Sequence, residues 1–309
     1  MQPPKRIASL LPSATEVLWG IGVGERVVAV SHECDFPAEA KQRPRGTRSL
    51  IDSAASSGHI DELVRRRLAA GEPLYELDRP LLVRLAPDLI ITQAQCDVCA
   101  VKLADVLELV RSTPALQGAQ VLALQPAGLE DVLLDIEAIG RAAGAEEAAR
   151  KYVAGLVARI DRVQAVTGRL DRSERPRVVC IEWTDPLMTA GNWVPELVEL
   201  AGGESLLAAK GQHSPYVSWD QIRAANPEVI VVAPCGFDLP RTLVEAETLR
   251  HLPGWKELAA VRNRRVWAVD GNAYFNRSGP RIVDSLEILA HVLHPDCFPL
   301  PRSGALPLR

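Results

Sequence analysis

Short, nearly continuous apolar runs punctuate the chain at residues 7–11, 27–30, 89–92, 121–124, 178–181, 229–233 and 266–269, each bounded by turn-forming residues. Strands with one wet face alternate apolar and polar positions; these runs do not, which predicts parallel strands buried on both faces. Between them, apolar positions recur at helical spacing, as over 13–20 and 104–112. Strand and helix therefore alternate, and the predicted class is α/β with parallel sheets. The stretch from 128 to about 170 differs. Leu129, Val132, Leu133, Ile136 and Ile139, then Tyr152, Val153, Leu156, Ile160 and Val163, fall at helical spacing with no strand between them. One long helix, or two in succession, would extend roughly 50–60 Å at an α-helical rise. The resulting expectation is two parallel-sheet lobes, 1–127 and 173–297, joined by a backbone helix over 128–172. A proline-containing tail, 298–309, is expected to be loosely ordered.

The two halves echo each other. Leu85-Ala86-Pro87-Asp88-Leu89-Ile90-Ile91 matches Ala225-Asn226-Pro227-Glu228-Val229-Ile230-Val231 in pattern, and Arg26–Val30 resembles Arg265–Val269. Helices close on Gly20-Ile21-Gly22 in one half and on Ala201-Gly202-Gly203 in the other, with glycine where a helix C-cap wants it.

Length supports this division, since 309 residues exceed what one ordinary core organises. A net charge of −4 and the absence of a basic run argue against nucleic acid as a partner. Arg65-Arg66-Arg67 reads as a solvated helix face. No apolar run approaches a membrane span. The first apolar run is read as the first strand, with no leader ahead of it, so a cytoplasmic location is expected. Six cysteines in such a setting do not predict a disulfide framework. Cys180 lies inside an apolar strand. Cys34, Cys96, Cys99 and Cys235 follow strands.

Ligands of open parallel sheets sit beyond the carboxyl ends of the strands, so those loops hold the candidate chemistry. After the first strand, Ser13 and Glu16 have capping-box spacing at a helix N-terminus that faces such a site. The next two loops read Ser31-His32-Glu33-Cys34-Asp35-Phe36-Pro37 and Gln93-Ala94-Gln95-Cys96-Asp97-Val98-Cys99. His32, Cys34, Cys96 and Cys99 have the donor types of a soft metal site, although one Cys-x-x-Cys lacks the second pair of a standard zinc motif. Cleft-lining thiols without a metal are the simpler reading. In the second half, Trp183, Trp193, Tyr216, Trp219, Phe237, Tyr274 and Phe275 stand in loops after strands. The whole chain holds only six Trp, four Tyr and four Phe, so this clustering suits a large, flat or apolar ligand. No nucleophile elbow, phosphate loop, zinc-protease helix or dinucleotide fingerprint occurs, and an enzyme is not expected.

The segments Ile7-Ala8-Ser9-Leu10-Leu11-Pro12-Ser13-Ala14-Thr15-Glu16, Ala86-Pro87-Asp88-Leu89-Ile90, Ala201-Gly202-Gly203-Glu204, Val217-Ser218-Trp219-Asp220 and Asn226-Pro227-Glu228 resemble, in order and spacing, the class III (helical-backbone) substrate-binding proteins of metal-chelate ABC importers. The likeness spans about residues 5–295 and is greatest to the BtuF-type branch that binds vitamin B12. It implies a cobalamin or related corrinoid held in a cleft between two lobes, by a cytosolic carrier, a sensor or a transport-related binding protein; in the transport case an ABC permease would be the partner. By resemblance, Asp35-Phe36-Pro37 takes the place of an aromatic-proline ligand loop. Trp183 to Trp193 covers the second-lobe aromatic region, and Tyr274-Phe275-Asn276-Arg277 a late cleft motif whose arginine, Arg277, meets the corrin amides. Ala273 stands where the family has an acid, and the stretch 50–75 is longer and more helical than in the family. The loop positions and the resemblance together give a candidate ligand set of Ser13, His32, Cys34, Phe36, Gln95, Cys96, Trp183, Trp193, Tyr216, Tyr274, Phe275 and Arg277, in which His32, Cys34 and Cys96, with Cys99, depart from the family's pattern. Two alternatives remain open at this point: another metal chelate, haem or a free metal ion bound through His32, Cys34, Cys96 and Cys99, or a corrinoid-modifying or thiol-redox enzyme.

Overall fold

The computed structural model describes residues 2–94, 98, 100–299 and 304–308. The chain divides into two compact units, Met1–Pro126 with Glu130–Gly155, and Ala127–Leu129 with Leu156–Arg309.

The first unit contains β1 (Ile7–Ser9), β2 (Val27–Val30), β3 (Thr47–Ser49), β4 (Tyr75–Leu77), β5 (Leu89–Gln93) and β6 (Gln120–Leu124). Its main sheet runs β2-β1-β5-β6 and is parallel throughout. Ile7, Ala8, Leu89, Ile90 and Ile91 are fully buried, so the central strands are covered on both faces, which is why they lack alternation. The helices are α1 (Pro12–Gly20), α2 (Ser57–Ala69), α3 (Arg79–Leu85) and α4 (Leu103–Ser112), followed by α5 (Leu129–Ala142) and α6 (Glu146–Thr167). The segment 50–75 is helical as expected, but it hangs between β3 and β4, a short antiparallel pair. Nothing in the pattern of the sequence predicts that pair.

The second unit contains β7 (Arg177–Thr184), β8 (Leu187–Thr189), β9 (Glu204–Ser205), β10 (Val229–Val232), β11 (Val266–Val269) and β12 (Ala305–Pro307). The order is β12-β11-β10-β7-β8, with β9 also beside β7; β8 and β12 are antiparallel edges on an otherwise parallel sheet. Helices α7 (Val194–Leu200), α8 (Trp219–Ala225), α9 (Leu239–Glu247), α10 (Ala259–Arg262) and α11 (Ile282–Leu293) pack on it. One core cluster joins Val179, Ile181, Ile230 and Val232 from the sheet to Ile222, Leu249 and Trp255. Among the described residues no helix is long and apolar enough to cross a membrane.

Two boundaries differ from expectation. The helical stretch is two helices in succession, one of the two readings of its spacing, parted at Gly144, whose φ of +65° suits glycine. It forms no body of its own, because α6 is shared between the units at Gly155 and Leu156. The tail is also not loose where it is described, since Ala305–Pro307 form an edge strand on β11.

The internal echo extends to hydrogen bonds. Asp88 accepts from the backbone N–H groups of Lys5 and Arg6, just ahead of β1, at 2.8 and 2.9 Å. Glu228 accepts from Arg177 N–H, at the start of β7, at 2.9 Å. Ala86 and Asn226 both end their helices in the left-handed region, with φ of 42° and 41°. Each glycine stop is a Schellman pair: Val23 N–H to Leu18 O and Gly22 N–H to Trp19 O in one unit, Gly203 N–H to Val198 O and Gly202 N–H to Glu199 O in the other. The likeness of Arg26–Val30 to Arg265–Val269 does not carry over. β2 pairs with β1, whereas β11 pairs with β10 and so corresponds to β6.

A half-buried acid with one buried oxygen marks a weak point of the first unit. Asp135 Oδ2, on α5, has no hydrogen-bond partner among the described residues. Burial, reinforced by Asp131 one turn earlier, raises its carboxyl to about 6. A folded-state value above the unfolded one, near 4, means the native state holds this proton more tightly. The group's contribution is therefore most favourable below pH 4 and is lost as pH rises from about 4 through 6. Asp135→Asn is expected to raise stability by about 1–2 kcal/mol at pH 8 and by almost nothing at pH 4. Urea unfolding at the two pH values checks this; an equal effect at both would remove the electrostatic explanation.

Candidate functional site

In the first unit, the carboxyl ends of β1, β2 and β5 rest on a buried layer of small polar side chains. Thr15 Oγ1 donates to Ser9 Oγ at 2.8 Å, and the Cys34 thiol lies 3.1 Å from Thr15 Oγ1 and 3.2 Å from Ser31 Oγ. Ser13 is 3% exposed and its hydroxyl has no hydrogen-bond partner among the described residues, as is true of the Thr92 hydroxyl on β5. The expected capping box is absent. Pro12 occupies the first helical position, Leu11 is the N-cap, and no side chain caps α1. Ser13 is thus inside the first turn rather than ahead of it.

His32 is held from several sides. Its Nδ1 is 2.7 Å from Thr47 Oγ1, which also accepts the His32 backbone N–H at 3.0 Å. Its ring lies 5.2 Å from that of Tyr75, on β4. Its Nε2 is buried 3.4 Å from Glu33 Oε1 without forming a hydrogen bond. Cys34 is 1% exposed. Of the expected donors, Cys34 has its thiol engaged by Thr15 and Ser31, whereas His32 keeps Nε2 buried and without a hydrogen-bond partner among the described residues. Cys96 and Cys99, and with them Gln95, lie outside the described residues. Among the described residues no three His, Cys, Asp or Glu side chains converge on a metal position. Phe36, by contrast, leaves 47% of its surface in solvent.

In the second unit, Trp183 is the penultimate residue of β7. Its ring packs 5.2 Å from Phe237, and the Arg241 guanidinium lies 3.6 Å over the Phe237 ring. Glu245 ties the group together by accepting from Thr184 Oγ1 at 3.1 Å and pairing with Arg241 at 3.8 Å. The Trp183 N–H is buried without a partner among the described residues. Beside it, Ser214 Oγ donates to Glu182 at 2.8 Å and accepts from Gly191 N–H at 3.0 Å. Tyr216 is 56% exposed, in the loop after β9.

The late aromatic motif forms a π-helical turn, Gly271–Phe275, capped by Asp270, whose carboxylate accepts from Ala273 N–H at 2.7 Å. Burial pushes the Asp270 carboxyl above its ordinary value, opposed by that Ala273 hydrogen bond and by Arg277 and Arg281. Gly271 allows the tight turn, since a Cβ there would come 2.2 Å from the Pro234 carbonyl oxygen. Tyr274 stays half-buried, with the Arg281 guanidinium 5.5 Å from its ring. Arg277 is buried and donates to Asn272 Oδ1 at 2.9 Å.

Two expected ligand residues are core residues instead. Phe275 is 1% exposed, and its carbonyl accepts from Trp193 Nε1 at 2.8 Å, with Trp193 itself 6% exposed. Their rings are committed to packing and their polar atoms to each other. Trp219 is likewise structural, donating to Pro253 O at 2.7 Å and stacking on Trp255. Thr47, Tyr75 and Arg241 were not anticipated. Only Phe237 had a signal, as one of the loop aromatics.

Residues 7–273 match the periplasmic binding protein family. The chain belongs to that family. A curated relative, the uncharacterised ABC transporter substrate-binding lipoprotein YvrC of Bacillus subtilis, is 26% identical over 304 residues, 96% of this chain and 82% of that protein. The vitamin B12-binding protein of Vibrio cholerae is 26% identical over 293 residues, covering 92% of this chain and 87% of that protein. Among solved structures, a periplasmic haem-binding protein from Pseudomonas aeruginosa superposes with a TM-score of 0.72 at 19% identity, over 96% of this chain and 95% of that one. This periplasmic binding protein thus has the class III fold that its own motifs imply.

Proposed function

We propose that this periplasmic binding protein is the substrate-binding component of an ABC importer, and that its substrate is a corrinoid, cobalamin or a close relative. The observation that carries the reading is the set of aromatic rings left in or near solvent at strand ends and in the loops that follow strands: Phe36 and Tyr216, 47% and 56% exposed, with Trp183 and Tyr274 partly so. Uncovered rings at the edge where α/β sheets take ligands suit a flat macrocycle. The sheltered, unpartnered Trp183 N–H and the Ser13 hydroxyl suit the carbonyls of a corrin's amide rim. The vitamin B12-binding relative supports the same class of ligand.

Haem is the second reading, supported by the structural likeness to a haem-binding protein. Parallel titrations with hydroxocobalamin and haemin, followed by absorbance and calorimetry, separate the two. The expected result is hydroxocobalamin binding at micromolar protein, with Phe36→Ala and Tyr216→Ala each weakening it about five- to tenfold and leaving the melting temperature unchanged. Tighter haemin binding would replace the first reading with the second. Binding of neither would remove both.

A further inference from the structure

The segment Gly304–Leu308 lies beyond the family match and was expected to be loose. It is instead bound on both flanks of the Tyr274 loop's root. Ala305, Leu306 and Pro307 pair with Val269, Ala268 and Trp267 of β11, the strand that leads directly into the π-helical turn. Leu308 N–H donates to Val266 O at 2.9 Å, and Asp270 N–H, at the cap of that turn, donates back to Gly304 O at 2.9 Å. Gly304 has a φ of +110°, a region open to glycine and strained for other residues. A Cβ there would stand 2.6 Å from Tyr274 Cε2 and 2.9 Å from Ile288 Cδ1. The backbone of the tail thus lies directly against the Tyr274 ring, at a separation only glycine permits.

We infer that the C-terminal segment Gly304–Leu308 is a strap that positions the ligand-facing Tyr274 turn, with Gly304 as the positioning residue. The inference rests on the reading above in one respect, that Tyr274 meets the ligand. The physical logic is preorganisation. A turn fixed before binding loses less freedom when ligand arrives. Tyr274 has backbone on one side, the Arg281 guanidinium near its ring, and the capped Asp270 at its root, so few rotations remain to it.

The test compares the wild-type chain with a chain ending at Ser303 and with Gly304→Ala, each measured two ways. Hydrogen–deuterium exchange reports the turn without any ligand. The amides of Asp270 and Ala273 are expected to exchange about tenfold faster or more in both variants, while peptides from β1 and β5 are unchanged. Hydroxocobalamin titration reports function, with affinity expected to fall about tenfold. Gly304→Ala should cost no further affinity in a Tyr274→Ala background, because the ring it displaces is already gone. Unchanged exchange at Asp270 and Ala273 would overturn the strap whether or not any corrinoid binds. Faster exchange with undiminished affinity, or additive losses with Tyr274→Ala, would overturn the positioning role. Should the wild-type chain bind no hydroxocobalamin, the corrinoid reading fails, and the exchange result alone decides the strap. Thermal melts identify a shortened chain that does not fold, in which case Gly304→Ala, with every strand retained, decides between the outcomes.

Discussion

Phe275→Ala is expected to lower stability by about 3–5 kcal/mol. Phe275 is among the largest fully buried side chains, and truncation opens a cavity that its neighbours fill only in part. Its backbone is engaged as well, through the hydrogen bond from Trp193 Nε1. If the π-helical turn relaxes into the cavity, that bond is strained too, and a buried donor without its acceptor costs roughly 1–3 kcal/mol more. Urea unfolding followed by tryptophan fluorescence checks the value. Five of the six tryptophans lie in the second unit, so the signal reports the unit concerned. A loss below about 1 kcal/mol, the scale of a surface change, would mean that the ring is not a core element and would return Phe275 to the ligand set.

Arg159→Ala is expected to cost about 2–3 kcal/mol. On α6, Arg159 forms a two-pronged contact with Glu287: Nε donates to Oε1 at 3.0 Å and Nη2 to Oε2 at 2.7 Å. Nη2 also donates to Asp284, so one guanidinium neutralises two carboxylates on neighbouring turns of α11. The hydrogen bonds that Arg159 donates to Glu287 raise the guanidinium's pKa further, against the opposing effect of burial. All three side chains are about 30% exposed, which places the cluster between a surface pair and a buried one. Removing the cation leaves two like charges side by side in a partly dry setting, and that repulsion is the larger part of the loss. Sodium chloride at about 1 M should therefore reduce the loss, because screening acts on the residual repulsion. Adding Glu287→Gln to Arg159→Ala should recover part of it. A loss below about 0.5 kcal/mol, or no recovery in the double variant, would show the cluster to be a solvated surface pairing.

What the sequence made legible follows from which residues are buried twice over. The seven apolar runs all became strands; in most of them both faces are covered, leaving no polar alternation to confuse the period, whereas β6 is a half-buried edge. Strands β3, β4, β8, β9 and β12 were not seen because they are short edge pieces with half-wet faces, and their residues look like loop. The repeat at Asp88 and Glu228 was readable because a carboxylate after Pro meets the same backbone N–H task twice. The repeat at Arg26 and Arg265 misled because basic residues before apolar strands are common, and only pairing shows which strands correspond. The site was harder. Placing an aromatic in a loop after a strand does not say which way its ring turns. The turn at Gly271 rotates Phe275 inward and leaves Tyr274 half-exposed, although the two are adjacent. His32 and Cys34 looked like metal donors by type. In the fold Thr47 and Tyr75, remote in sequence, engage the His32 ring, and Thr15 and Ser31 engage the Cys34 thiol.

The late position of β12 bears on how the chain is made. During synthesis β11 is complete well before residues 305–307 follow, and until then one side of the second sheet carries unpaired backbone groups beside Trp267 and its apolar neighbours. Nascent chains halted at that stage expose a template for adventitious strand addition. Holdase chaperones are accordingly expected to associate with nascent chains in which β11 has emerged and residues 305–307 have not, and to leave once β12 docks.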